Sequence, residues 1–389
     1  MGSYRLIKKL ATGGMAEVFL GQEWGRGGPG RRVALKRLLP TYQRDAAQVD
    51  QFLREARMCE GFRHPNVVPV LEAGVSQERL YTVMEFVEGE TLGAMRRALH
   101  QRQELLRPVE ACHLVRQVAE GLAYAHALRA PSGEPLGLIH RDINASNVLV
   151  SFTGEVKLLD FGIAKVSGAH PETEAGIVKG KLNYLSPEQA LGRKLDQRSD
   201  VFLLGMMLYE LLSGRQLFRG TPIELLRQIQ RFDERKLEPL PGVPTPLWNL
   251  VRRALAARPD ERVGSARELS DALSGLLAEW GQRPGPADMA RLFARCFPGW
   301  RSPRLDANGP CGEWVVLHGR APAGGARALA SPLPAAAAPS PAAFSEIPTL
   351  PSVDVRLVRP GSPWKWPGAA LLPLLMQLTR RMAARLGAY

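Results

Sequence analysis

The residues of this chain that could do chemistry fall into a few short stretches. Residues 10–18 (LATGGMAEV) form a glycine turn between two strand-like runs, where backbone N–H groups can come close to phosphate oxygens. Against a G-x-G-x-x-G-x-V pattern only the central Gly13 is kept. Ala11 and Ala16 take the outer positions, and Gly14 is extra. Alone, such a stretch reads as a hairpin turn. Val33-Ala34-Leu35-Lys36 sets one ammonium among apolar neighbours. Burying it unpaired is costly, so it requires an anion, and Glu55, nineteen residues on, can supply one. Further along come Ile139-His140-Arg141-Asp142-Ile143-Asn144-Ala145-Ser146-Asn147, which fits H-R-D-x-x-x-x-N, then Asp160-Phe161-Gly162 and Ser186-Pro187-Glu188. Separated motifs in this order are hard to reach by chance.

The elements that must hold these residues divide the chain in two. Residues 4–100 read as short strands with one helix. The strands are residues 4–10, 17–21, 32–38, 67–73 and 80–86, and residues 25–30 (GRGGPG) form a loop. The helix is residues 46–59, with Val49, Phe52, Leu53, Ala56 and Cys59 on one side. Residues 109–129, 196–213, 222–230 and 245–280 are helical in pattern. A β-rich part followed by an α-rich part points to an α+β, two-lobed architecture rather than an alternating α/β sheet.

In motif content and order, residues 4–280 resemble a eukaryotic-type (Hanks-type) protein kinase domain of the kind found in bacteria. His64-Pro65-Asn66, Ser199-Asp200-Val201-Phe202 and Arg258-Pro259-Asp260-Glu261-Arg262 are further matches. The resemblance implies a bilobal fold with a small β-rich lobe at residues 4–88 and a larger helical lobe at 89–280. It implies ATP and Mg²⁺ as the bound groups and Ser or Thr of protein substrates as acceptors. Residue by residue, it implies that Lys36 holds the α- and β-phosphates while Glu55 orients it. Asp142 would accept the proton of the acceptor hydroxyl, and Asn147 and Asp160 would bind the metal. Leu10, Ala11, Thr12, Gly13, Gly14, Met15, Ala16, Glu17 and Val18 would cover the nucleotide. Leu10, Val18, Ala34 and Leu149 would sandwich the base, Met84 would stand behind it, and Glu85 and Val87 would offer backbone groups. Glu188 and Arg262 would form a buried structural pair.

Two positions depart from the family pattern. Asn144 stands where a Lys two residues after the catalytic Asp is usual, and Lys181 stands where a Thr follows Gly180. Either Lys181 supplies the cation that Asn144 lacks, or it points to solvent. The departures also fit a pseudokinase that binds nucleotide or partners and transfers nothing. Against that, Lys36, Glu55, Asp142, Asn147 and Asp160 are all present. Arg141 could pair with an anion on the segment between Asp160 and Glu188. Thr173, between Glu172 and Glu174, is the expected autophosphorylation site, unless those carboxylates already provide the charge.

Composition bounds the rest. The chain has 389 residues, 45% hydrophobic and 23% charged, which suits a soluble globular protein and excludes wholesale disorder. Net charge is +13, and 41 of the 51 basic residues are Arg. No basic helix with interleaved aromatics stands out, so nucleic acid is not an expected partner. Cys59, Cys112, Cys296 and Cys311 show no metal or redox spacing, which suits a reducing cytoplasm. Position 6 is Leu6, so the myristoylation pattern fails.

Residues 281–318 read as an extension of the kinase-like region. They contain a short amphipathic helix at 287–297 and one strand candidate at 314–316 that the sequence does not place. Residues 319–350 are Ala/Pro-rich and read as a disordered linker. The terminal segment, 364–389, carries Trp364 and Trp366 before a run too short to span a bilayer and interrupted by Pro373. Contact with the inner face of the cell membrane is one expectation for it, and docking on the kinase region or a partner helix is the other. A homodimer is open.

Overall fold

The computed structural model describes residues 2–130, 132–159, 182–302 and 313–320. The small lobe is an antiparallel sheet of β1 (Ser3–Thr12), β2 (Ala16–Gly25), β3 (Gly28–Leu38), β4 (Val70–Ser76) and β5 (Arg79–Glu85). Two helices, α1 (Pro40–Gln43) and α2 (Ala46–Glu60), lie between β3 and β4. Two strands from late in the chain, β9 (Trp314–Val316) and β10 (His318–Arg320), complete the order β10-β4-β5-β3-β2-β1-β9.

Alternation along β3 separates core from site. Val33 and Leu35 are fully buried on one face with Leu6, Phe19, Tyr81 and Val83, so Ala34 and Lys36 lie on the other. Helix α2 starts where Asp45 accepts from the N–H groups of Ala47 (2.9 Å) and Gln48 (3.4 Å). It buries Val49, Phe52, Leu53, Ala56 and Cys59, the five residues the spacing groups on one side.

The large lobe comprises the sheet β6 (Gly89–Thr91), β7 (Val148–Ser151) and β8 (Val156–Leu158), with helices α3 (Leu92–Gln101), α4 (Pro108–His126), α5 (Pro187–Ala190), α6 (Arg198–Ser213), α7 (Pro222–Gln230), α8 (Thr245–Ala254), α9 (Ala266–Glu279) and α10 (Pro286–Cys296). Helix α6 is the buried axis: its residues are apolar almost all round, and it ends on Gly214 in the left-handed region (φ 67°). Helix α10 buries Met289, Leu292, Phe293 and Cys296, packing on this lobe as its spacing suggests.

Several expectations are corrected. Helix α3 is absent from the sequence reading; its inward side is only Leu92, Met95 and Leu99, and its start is fixed by the Thr91 hydroxyl accepting from Ala94 N–H (3.1 Å). The run 245–280 is two helices, because a 3₁₀ turn at Pro259–Glu261 interrupts it and Ser265 caps a new start. The glycine-rich loop at 25–30 shrinks to a tight turn, since β2 runs to Gly25 and β3 begins at Gly28 (φ 98°). The strand expected from residue 67 begins at Val70. Residues 319 and 320 of the expected linker 319–350 belong instead to β10, drawn there by pairing with β4. The rest of that linker, 321–350, and the segment 364–389 lie outside the described residues. Among the described residues no helix is long and apolar enough to cross a membrane.

Candidate active site

Lys36 sits on the central strand β3, flanked by Val18 on β2 and Thr82 on β5. Its Nζ lies 3.0 Å from Glu55 Oε1 on α2. Both side chains keep under a fifth of their surface exposed (17% and 19%), so the pair is partly desolvated and stronger than a surface pair. The residue after it, Arg37, donates to Glu17 Oε2 (2.9 Å) and holds that carboxyl below its usual range.

The turn between β1 and β2 is Gly13, Gly14 and Met15, closed by Gly13 N–H donating to the Ala16 carbonyl (2.8 Å). Neither Ala11 nor Ala16 has a positive φ, so the backbone does not demand glycine there. Ala16 instead buries its methyl within the sheet, paired with Leu38. Leu10, Ala11 and Thr12 end β1, and Leu10 is largely exposed. Ala34, Met84 and Val87 belong to one apolar cluster that runs into the large lobe, with Val18 and Leu149 packed against it. Glu85 donates its N–H to the Pro69 carbonyl (3.2 Å), and its carboxylate takes Lys157 Nζ at 2.7 Å.

Asp142 lies on the loop preceding a 3₁₀ turn, Ala145–Asn147. Asn147 Nδ2 donates to the Asp142 carbonyl (2.8 Å) and to Asp142 Oδ2 (3.2 Å). Asn144 spends its side chain on the same loop: Oδ1 accepts from Ser146 N–H (2.9 Å) and Nδ2 donates to the Asp142 carbonyl (2.9 Å). The preceding residue, Arg141, is held at φ 64°, a strained conformation for a residue with a Cβ that costs about 1–3 kcal/mol. Asp200 offsets that strain. It is fully buried at the start of α6, and its carboxylate accepts from Arg141 N–H (2.8 Å), His140 N–H (2.7 Å) and His126 Nε2 (2.8 Å).

Asp200 is a positioning residue that the sequence reading quotes within a motif match but to which it assigns no role. Its signal was a carboxylate in the first turn of a largely apolar helix, since a buried charge must be paired. Glu188 and Arg262 come together as a buried bidentate pair (2.8 and 3.1 Å), with Ser199 Oγ donating to Glu188 (2.7 Å). Asp160, Thr173 and Lys181 lie outside the described residues.

Residues 4–273 match the protein kinase domain family. The tyrosine-protein kinase MasK of Myxococcus xanthus is 38% identical over 281 residues, covering 72% of this chain and 43% of MasK. The serine/threonine-protein kinase PknA of Mycobacterium tuberculosis is 35% identical over 289 residues, covering 73% of this chain and 63% of PknA. PrkC of Bacillus subtilis, also a serine/threonine-protein kinase, is 33% identical over 270 residues, covering 69% and 39%. A crystal structure of a mutant PknI kinase domain from Mycobacterium tuberculosis superposes with a TM-score of 0.50 at 28% identity, covering 70% of this chain and 94% of that one. The matches span less than two thirds of the curated relatives' own lengths. With its two-lobed fold, its Lys36–Glu55 pair and its Asp142–Asn147 loop, the chain belongs to the protein kinase domain family.

Proposed function

We propose that this chain transfers the γ-phosphoryl group of ATP to Ser and Thr hydroxyls of proteins, its own segment between Asp160 and Glu188 among them, as a step in signal transduction. The observation that carries this reading is the Asp142 carboxylate held by Asn147 on a loop whose strain Asp200 offsets. In the reaction the acceptor oxygen bonds to the γ-phosphorus, the bond to the β,γ-bridging oxygen breaks, ADP leaves, and the hydroxyl proton passes to Asp142. Lys36, oriented by Glu55, fixes the α- and β-phosphates.

Asn147 fits a Mg²⁺ ligand: its Nδ2 is committed to Asp142, which leaves the amide oxygen for a hard cation, with Asp160 as the second protein ligand. When bound, Mg²⁺ neutralises phosphate charge. The base would lie among Ala34, Val18, Leu149 and Met84. Asn144 is a neutral amide already bonded within its own loop, so it offers the γ-phosphate no cation, and we assign that charge to Lys181. Lys181→Met is therefore expected to lower kcat about tenfold or more with little change in KM for ATP. An unchanged kcat removes the assignment.

Acceptor type is the open contest among the relatives, since MasK is named a tyrosine kinase and PknA and PrkC serine/threonine kinases. Autophosphorylated protein should give phosphothreonine and phosphoserine on acid hydrolysis, with Thr173 modified in wild type and unmodified in Asp142→Asn. Phosphotyrosine alone would overturn the Ser/Thr reading.

A further inference from the structure

The small lobe of this kinase is completed by a piece of chain far outside the matched family region. Strands β1 and β4 would be the two free edges of the five-stranded sheet. Strand β9 pairs antiparallel with β1 (Ser3↔Val316, Tyr4↔Val315, Arg5↔Trp314), and β10 pairs with β4 (His318↔Val75, Arg320↔Gly74). Leu6 N–H donates to the Glu313 carbonyl (2.8 Å), and Leu317 N–H donates to the Gly2 carbonyl (3.1 Å). One bent segment thus covers both edges, the device by which barrels remove exposed strand edges.

Its side chains follow the two-residue period. Val315 (0% exposed) and Leu317 (1%) complete a core with Tyr4, Leu6, Phe19, Val33, Leu35, Tyr81 and Val83. Trp314 and Val316 face outward, and Trp314 meets Trp24 edge-on at 5.4 Å. The covered face is the back of the nucleotide-binding strands, because Val33 and Leu35 alternate with Ala34 and Lys36 on β3. Glu313 adds a polar tie. It accepts from Arg37 Nη1 (3.1 Å), the neighbour of Lys36, while Arg37 Nη2 holds Glu17 on the strand that leaves the glycine turn (2.9 Å).

Trp300 and Ser302, earlier in the chain, are tied to both lobes. Trp300 stacks on Phe152 (5.5 Å) and meets Phe293 edge-on (5.3 Å), and Arg32 on β3 donates to both Glu88 (2.8 Å) and Ser302 (2.5 Å).

We propose that residues 313–320 are a built-in strand ligand of the small lobe, whose seating on the β1 and β4 edges positions the nucleotide-binding strands and sets nucleotide affinity. Glu313 acts as a positioning residue through Arg37. The inference rests on the proposed function only for the identity of the nucleotide.

The test uses the full chain and two readouts: hydrogen exchange of peptides covering residues 2–8 and 70–76, and the Kd of a fluorescent ATP analogue with Mg²⁺. Val315→Asp should speed exchange at both edges, leave α6 protected and weaken Kd about tenfold. Glu313→Gln, which leaves the apolar contacts intact, should weaken Kd about threefold, with Glu313→Asp recovering part of the loss. The outward-facing Val316→Thr should change neither readout. Faster edge exchange with unchanged Kd would reduce the segment to a structural cover, and unchanged exchange would mean it does not sit there. If Val315→Asp unfolds the protein, an unchanged Kd in Glu313→Gln overturns the proposal. A wild-type chain that binds the analogue but phosphorylates nothing would defeat the transfer reading and leave this test standing.

Discussion

Asp142→Asn should give a folded protein whose phosphoryl transfer is about 10²–10⁴-fold slower, with KM for ATP nearly unchanged. The amide has the shape of the carboxylate and can still accept from Asn147 Nδ2, which reaches Asp142 Oδ2 at 3.2 Å. The loop is held mainly by bonds that the substitution does not touch: Asn147 and Asn144 to the Asp142 carbonyl, and the three donors on Asp200. What disappears is the capacity to take a proton. Steady-state kinetics beside a thermal melt separate the two effects. An unaltered melt with kcat within a fewfold of wild type would mean that Asp142 is not the base.

Arg262→Ala is expected to cost about 3–5 kcal/mol of stability, the usual penalty for leaving one charge of a buried pair alone. Arg262 donates to both Glu188 oxygens and also to the carbonyls of Ala256 (3.0 Å) and Arg198 (2.6 Å), so its loss orphans several buried acceptors. Glu188→Gln should cost less, because it removes the charge and keeps the shape. Burial pushes the Glu188 carboxyl up, but the Arg262 guanidinium and the Ser199 hydroxyl outweigh it and hold the group below its usual range.

A carboxyl with a depressed folded-state pKa contributes stability that is present above its unfolded pKa and is lost as pH falls through the folded one. Wild type should therefore lose this contribution in acid, and Glu188→Gln should show a flatter acid limb. Urea unfolding at neutral pH and at stepwise lower pH reads both effects. Equal stability of Arg262→Ala and wild type at neutral pH would contradict the buried-pair account.

Legibility of the site followed physical distinctness. Lys36 could be read because an ammonium in a VALK strand is an anomaly that needs an explanation, and Glu55 because a helical run of apolar residues set it at a fixed distance along the chain. Residues 46–59 could be read because their one-sided pattern is strong. Helix α3 could not: only three of its positions face inward, and what starts it is a single Thr91 hydroxyl. The break between α8 and α9 was hidden by continuous apolar spacing that Pro259 and Ser265 override.

The strand at 314–316 was visible as a strand but not as a partner of β1. Pairing between residues some 310 positions apart leaves no local trace, and only the outcome, Val315 buried against Tyr4 and Leu6, reveals it. Asp200 was legible as a misfit in an apolar helix, but its three partners come from two other segments.

The most direct test of the account is a crystal structure of the full chain with a non-hydrolysable ATP analogue and saturating Mg²⁺. The account predicts the base between Ala34 and Leu149, Lys36 on the α- and β-phosphates, the ion on the Asn147 amide oxygen and the terminal phosphate facing Asp142. An analogue bound elsewhere, or a cleft that stays closed to it at saturation, would contradict the account.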